Sequence, residues 1–376
     1  MTATVPSERS PSDDLPGHPR RSGHLTITDP SPSVPSVTGV TFIPTLQADF
    51  MILASRHAEP AHPALSLAES AVLISRALEV AGRLANDAAE VITATAGREN
   101  GSGPDPSYDW VTDTDRTLER HTRRVLTAEF AGVPVLGEEY GGPGGFDTAL
   151  PGSLGADELL WIVDPLDGSA NFRNGLPWCG YSLALVDSRG PLVGVVADPY
   201  RAQLYAAARG RGLRANGRPV EQAAAVGGSD SLAGRLVFIE DSPGRPRDQP
   251  EGDPVLVPQP TESVGAAPWV SDWADACRKA GAGVRMLGSP ALAIAQVALG
   301  RAAAAVIRGH RVWDVAGALA LADQAGCRIT DLAGQQIPLP LDGLLVADPW
   351  VADAVLAVNA AIMSGGSADD PGPTAS

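Results

Sequence analysis

The run LLWIVDPLDGSANF, residues 159–172, constrains the fold more than any other stretch. Its opening residues, L-L-W-I-V, read as a strand buried on both faces. Pro165 forces Asp164 out of the α region, so the strand is expected to break there and Asp167-Gly168 to continue the turn. Both carboxylates then converge beyond the strand's C-terminal end. Two carboxylates that close repel unless a positive charge lies between them, and oxygen-only ligands select a hard cation such as Mg²⁺ or Mn²⁺. The GSANF that follows reads as a helix start, with the N–H groups of Gly168, Ser169 and Ala170 free to hold an anion. A cation and a phosphate site from one turn point to metal-assisted phosphoryl chemistry, although the stretch alone also fits an ordinary Asp-Pro turn.

The rest of the chain supplies an organisation for this turn. Residues 1–62 are rich in Pro, Ser and Thr and read as a disordered tail, within which Met51 offers an alternative start. Order begins at Ser66, where Ser66 and Glu69 match a capping box. Ile74, Leu78, Ala81, Ala85, Ala88 and Ile92 then fall on one helical face. A second helix is expected near Asp115, a short strand in VPVLG, and hairpins turning at SRGP and ANGR. The strand RLVFIE opens a second domain, the Pro-rich 241–268 reads as a surface insertion, and helices follow in WVSDWADACRKAG and WDVAGALALADQAG. The expected division is a 63–232 α+β domain, a 233–362 α/β domain and a 363–376 tail.

Other acids sit at similar places. Glu138 and Glu139 stand where a strand breaks into glycines; taken singly they fit a solvated pair. Asp113 and Asp115 in VTDTD, and Asp314 in VWDVAGALALA, stand at helix starts, where a capping role fits equally well.

Together these motifs resemble the inositol monophosphatase family of magnesium-dependent, lithium-sensitive phosphatases. WIVDPLDGSANF, LGEEYGG, VTDTD and VWDVAGALALADQAG match its signatures in order, over about residues 66–360. The resemblance implies a layered α-β-α-β-α sandwich of the sugar-phosphatase type, α+β then α/β, and a homodimer. It implies a first Mg²⁺ on Glu138, Asp164 and the carbonyl of Leu166, and a second on Asp164, Asp167 and Asp314. A weaker third would lie near Glu138 and Glu139. Ser169 and Asp115 would manage the proton of the attacking water, and the N–H groups of Gly168 and Ser169 would hold phosphate oxygens.

The chain also departs from the family pattern. Ser169 replaces the commoner threonine and keeps its hydroxyl, Ala170 replaces a second, and GSGPDPSYDW lacks a frequent lysine. Ile307 stands where inositol-cleaving members carry a glutamate, and an apolar residue there weakens hydroxyl recognition. Arg308 or Arg311 is then expected to pair with a second anionic group on the substrate, and His310 reads as a loop residue. Ser289 and Pro290, in GSPAL, stand on the expected substrate side.

Composition narrows the partners. A net charge of −16 and a pI near 4.7 argue against a nucleic-acid binder but not against a small phosphorylated metabolite, since bound cations reverse the local sign. Arginine supplies nearly all the basic charge, Lys279 being the only lysine. Three scattered cysteines give no disulfide framework and fit a reducing cytoplasm. No apolar run is long enough for a membrane span. Two other readings compete with a Mg²⁺-dependent phosphomonoesterase. A haloacid-dehalogenase-type phosphatase would use Asp113 of DTDRT as nucleophile, but no buried strand precedes it. A binding or regulatory protein of the same fold would leave a costly acid cluster unused.

Overall fold

The computed structural model describes residues 67–97, 112–142, 154–221, 231–241, 268–341 and 343–364. The expected tails, the alternative start at Met51, Ser66 of the capping box, the lysine-free loop and nearly all of the 241–268 insertion lie outside these residues.

Two helices lead into the first sheet. Helix α1 (Leu67–Thr95) buries a stripe of Ala77, Val80, Ala81, Leu84, Ala85, Ala88 and Ile92, while Ile74 and Leu78 flank it half-buried. Helix α2 (Asp113–Glu129) starts at a capping box between Thr112 and Asp115. Strands β1 (Val135–Gly137) and β2 (Leu160–Asp167) pair in parallel, and the short helix α3 (Ser169–Arg173) follows β2. Strands β3 (Gly180–Asp187), β4 (Gly190–Asp198), β5 (Gln203–Ala208), β6 (Gly212–Ala215) and β7 (Arg218–Pro219) extend the sheet as an antiparallel meander. The ANGR turn has Asn216 and Gly217 both at positive φ, the geometry of a type I′ hairpin.

Strand β2 does not break at Pro165. It pairs with β3 at Asp164–Ser182 and again at Asp167–Gly180, with a register shift between. Three residues on β2 therefore span what two span on β3, a bulge that absorbs Pro165 inside the sheet. The aspartates belong to the strand's last, bulged turn rather than to a loop beyond it.

The second sheet collects β8 (Leu236–Asp241), β9 (Gly283–Arg285), β10 (Ala304–Arg308), β11 (Arg328–Asp331) and β12 (Leu344–Ala347), in the order β11-β12-β10-β8-β9. Its helices are α4 (Pro268–Lys279), α5 (Pro290–Ala298), α6 (Val312–Gln324) and α7 (Ala352–Met363). Helices α1 and α2 cover the outer face of the first sheet, and α4 and α7 that of the second. Helices α5 and α6 lie between the sheets and touch both. The result is the expected α-β-α-β-α layering, and the change of sheet near residue 233 is not a break in packing.

Side-chain alternation shows why β2 reads as one apolar run. Leu160 and Ile162 face α5 and α6, whereas Trp161 and Val163 face α1 and α2. A strand covered on both faces needs apolar residues at every position. Helix α6 reaches the first sheet by a glycine contact. A Cβ on Gly194 would sit 2.2 Å from the Gly317 carbonyl oxygen, and one on Gly317 would sit 2.4 Å from Ser182 Oγ. That close approach seats α6, and Asp314 at its start, against β3 and β4, next to β2, which carries Asp164 and Asp167.

Candidate active site

Five acids from three separate places in the chain gather at one end of the first sheet. Glu138 and Glu139 follow β1, Asp164 and Asp167 close β2, and Asp314 occupies the first turn of α6. Asp164 and Asp167 are buried, at 2% and 4% exposure; Glu138 is half-buried. Burial raises the pKa of Glu138 well above the usual carboxylate range, and the charges of Asp164, Asp314, Asp115 and Glu139 push it further. Asp164 is raised by burial, then by Asp167 and Asp314. Asp167 is raised by burial and by Asp314, against the pull of its hydrogen bonds from Ser289 and Ala291. Each acid thus feels the others. Among the described residues, no arginine, lysine or histidine forms an ion pair with Glu138, Asp164 or Asp167.

The chain supplies partial holds instead. Asp164 Oδ1 accepts from Leu166 N–H at 3.0 Å, Asp314 Oδ2 from Arg311 N–H at 2.7 Å, and Asp167 Oδ2 from Ala291 N–H at 2.9 Å and from the Ser289 hydroxyl. Glu139 has Arg116 Nε at 4.0 Å. No three such side chains among the described residues already close into a cage. The donor chemistry nevertheless fits a hard divalent cation: the set is all oxygen, buried at Asp164 and Asp167 and half-buried at Glu138 and Asp314, and among the described residues no basic side chain offsets Glu138, Asp164 or Asp167. Asp314 also caps α6, so the capping and ligand readings are compatible.

Asp115 and Ser169 form the second part of the site. Asp115 is fully buried and returns to Thr112, accepting its N–H at 2.8 Å and its hydroxyl. Its other oxygen lies 3.2 Å from Ser169 Oγ, which is also 3.0 Å from Leu166 O. Burial lifts the Asp115 pKa to about 6, against the hydrogen bonds from Thr112 and Ser169. A carboxylate with that pKa is ionised at neutral pH yet basic enough to take a proton. Gly168 precedes α3 at φ 90°. A Cβ there would meet Trp178 O at 2.8 Å and Gly288 O at 3.0 Å, so the turn holding Asp167 is closed backbone against backbone.

The expected substrate side is placed differently. Ile307 has no exposed surface; it lies in the core between the sheets, paired with Glu240 and Leu344. It turns inward because β10 is covered on both faces, so it offers a ligand nothing. Arg308 makes a two-pronged ion pair with Asp241, both contacts 2.9 Å, and stacks 4.7 Å over the Trp269 ring. Its charge is already matched. Ser289 is fully buried as the N-cap of α5 and serves Asp167 rather than open space. His310 is buried, with Nε2 2.9 Å from Pro340 O.

Sequence reasoning missed Glu240 and Asn171, which hold the segment before α5. Glu240 is 4% exposed, its pKa raised to about 6 by burial. Only Ser289-Pro290 gave a local signal, that of an N-cap with proline at N1.

The model of the inositol monophosphatase family matches residues 72–362. The chain belongs to the inositol monophosphatase family. Inositol-1-monophosphatase ImpA of Mycolicibacterium smegmatis is 30% identical over 272 residues, covering 72% of this chain and 88% of that protein. Nus factor SuhB of Xylella fastidiosa is 31% identical over 230 residues, covering 61% and 72%. A solved structure of an IMPase/NADP phosphatase complexed with Mg²⁺ and phosphate superposes with a TM-score of 0.58 at 20% identity, over 76% of this chain and 95% of that one. That last likeness concerns the family fold. Among the described residues no helix is long and apolar enough to cross a membrane.

Proposed function

We propose that this chain is a divalent-cation-dependent phosphomonoesterase acting on a small phosphorylated metabolite, an inositol monophosphate or a related sugar or alcohol phosphate. The observation that carries the reading is the set of buried and half-buried carboxylates that raise one another's pKa, with no basic side chain among the described residues paired to Glu138, Asp164 or Asp167. Glu138, Asp164 and the Leu166 carbonyl would hold one cation, Asp164, Asp167 and Asp314 a second, with Glu138 and Glu139 beside a weaker third. Such cations supply electrophilic activation of water and of the phosphoryl group when bound. Asp115, through Ser169, accepts the proton of the attacking water. The N–H groups of Gly168 and Ser169 hold phosphate oxygens. The family's membership and the Mg²⁺ and phosphate found in its solved relative support Mg²⁺ as the cation, with Mn²⁺ a second choice. Lithium inhibition, a homodimer and a cytoplasmic setting belong to the same reading.

The test is phosphate release by the purified chain with Mg²⁺. The esters are inositol monophosphate, fructose bisphosphate, histidinol phosphate and a 3′-phosphonucleotide, each assayed again with chelator and with lithium. Turnover abolished by chelator is expected. The Nus factor among the relatives favours a second reading, a binding or regulatory role. Silence across all four esters by folded, cation-binding protein would favour that role over the phosphatase.

A further inference from the structure

Asp167 is held by a segment that is itself held from two sides. Both donors to its Oδ2, the Ser289 hydroxyl and the Ala291 N–H, lie where the chain enters α5. Among the described residues the chain gives Oδ1 no donor. From the second sheet, Glu240 at the end of β8 accepts Leu287 N–H at 2.8 Å and Gly288 N–H at 3.0 Å. From the first sheet's side, the Asn171 amide on α3 donates to Leu287 O at 2.6 Å and Trp178 O at 2.7 Å. A Cβ on Gly288 would come within 3.2 Å of Asn171 Nδ2, so the two loops have little room to shift.

Glu240 also stands out chemically. Burying a carboxylate is costly, and a neutral acceptor could hold two N–H groups. Bonds from N–H groups to an ionised carboxylate are shorter and stronger, which matters where a fraction of an ångström decides how a ligand oxygen points. The acid is therefore placed where stiffness has the greatest effect on Asp167.

We propose that Glu240 and Asn171 are positioning residues for Asp167. They clamp the 287–291 segment so that Ser289 and Ala291 fix one oxygen of Asp167 and leave the other aimed at the shared carboxylate site. The inference rests on the reading of Asp167 as a cation ligand. Side chains that orient a ligand alter metal affinity by roughly 10–100-fold.

The test titrates Mn²⁺ into the metal-free full chain by calorimetry and measures kcat and KM in parallel. Glu240→Gln is expected to weaken Mn²⁺ binding by about tenfold or more, with kcat recovering at saturating cation and KM for the ester unchanged. Ser289→Ala should do the same. The Glu240→Gln/Ser289→Ala double variant should lose less affinity than the two single losses added together, because part of what Glu240 does passes through the Ser289 bond and the rest through Ala291 N–H. Losses that add in the double variant, or Mn²⁺ affinity unchanged in Glu240→Gln, overturn the clamp. Should Glu240→Gln fail to fold, Asn171→Ala takes its place, with the same expectations and the same refutations. Wild-type protein that binds no Mn²⁺ overturns the assignment of Asp167, and the clamp with it. Wild-type binding with unaltered variants overturns the clamp alone.

Discussion

Glu119 and Asp164 are both buried acids beside the same edge of the first sheet, yet their surroundings differ completely. Glu119, at 0% exposure, receives Arg123 Nε at 2.7 Å and the N–H groups of Glu139 at 2.7 Å and Tyr140 at 3.2 Å. Asp164 receives one backbone N–H and faces further acids. Burial alone therefore does not mark a functional acid. What marks it is charge that the fold has taken out of water without a partner. Glu119 fastens α2 to the residues after β1, whereas Asp164 and its neighbours store repulsion that a cation would relieve.

The contrast is broken most directly at its functional end. Asp164→Asn should lower phosphate release by roughly 10³-fold, because a bound cation contributes several kcal/mol and each ~1.4 kcal/mol is a tenfold change. The same variant should leave the metal-free melting temperature unchanged or higher, since one repelling charge is gone. A lower metal-free melting temperature would contradict the stored repulsion.

Glu119 should behave in the opposite way. Glu119→Gln replaces one carboxylate oxygen by an NH2 donor, so that one of its three donors loses its acceptor and Arg123 loses its counter-charge, at a cost on the order of 2–4 kcal/mol. Denaturant unfolding should show that loss with or without Mg²⁺. Gly137→Ala should reproduce much of it, because the added Cβ would lie 2.1 Å from Glu119 Oε1.

Acidity sharpens the comparison further. Burial, then neighbouring acids, hold Glu138, Asp164 and Asp167 above their unfolded pKa values. The folded metal-free chain therefore keeps protons that the unfolded chain releases. Their stabilising effect is present below the unfolded carboxylate pKa and is lost as pH rises through the folded values. Melting without metal should show Asp164→Asn gaining on wild type as pH rises from 5 to 8, and Mg²⁺ should stabilise wild type more at pH 8 than at pH 5. A gap independent of pH would count against the cluster.

The smallest effect belongs to the matched arginine. Arg308→Ala removes a partly exposed ion pair and a ring contact, about 1 kcal/mol together. KM for the phosphate ester should not change. A raised KM would return Arg308 to the substrate side.

The strands, helices and acids were legible because their signals are local. The apolar run of β2 reports coverage on both faces, the turn residues report hairpins, and Asp113 with Asp115 reports a helix start. The bulge at Pro165 was less legible, because a proline that breaks one strand can be absorbed by another given a partner such as β3. The surroundings of Ile307 and Arg308 were not legible for a related reason. Position along a motif says which residue is near Asp314, not which way a strand turns its side chains.

By itself the sequence determined which groups carry the chemistry: carboxylates at the ends of apolar elements, with a hydroxyl and glycine after them. Those features follow from short-range physics, from strand burial, proline sterics and capping. The tertiary structure alone decided which acids are left without a counter-charge. It also decided that Ser289 and Glu240, remote in the chain from Asp167, and Asn171, just after it, meet at the 287–291 segment that holds Asp167. Partnership of that kind depends on the packing of α5 and α6 between two sheets, and no window of sequence contains both sides of it.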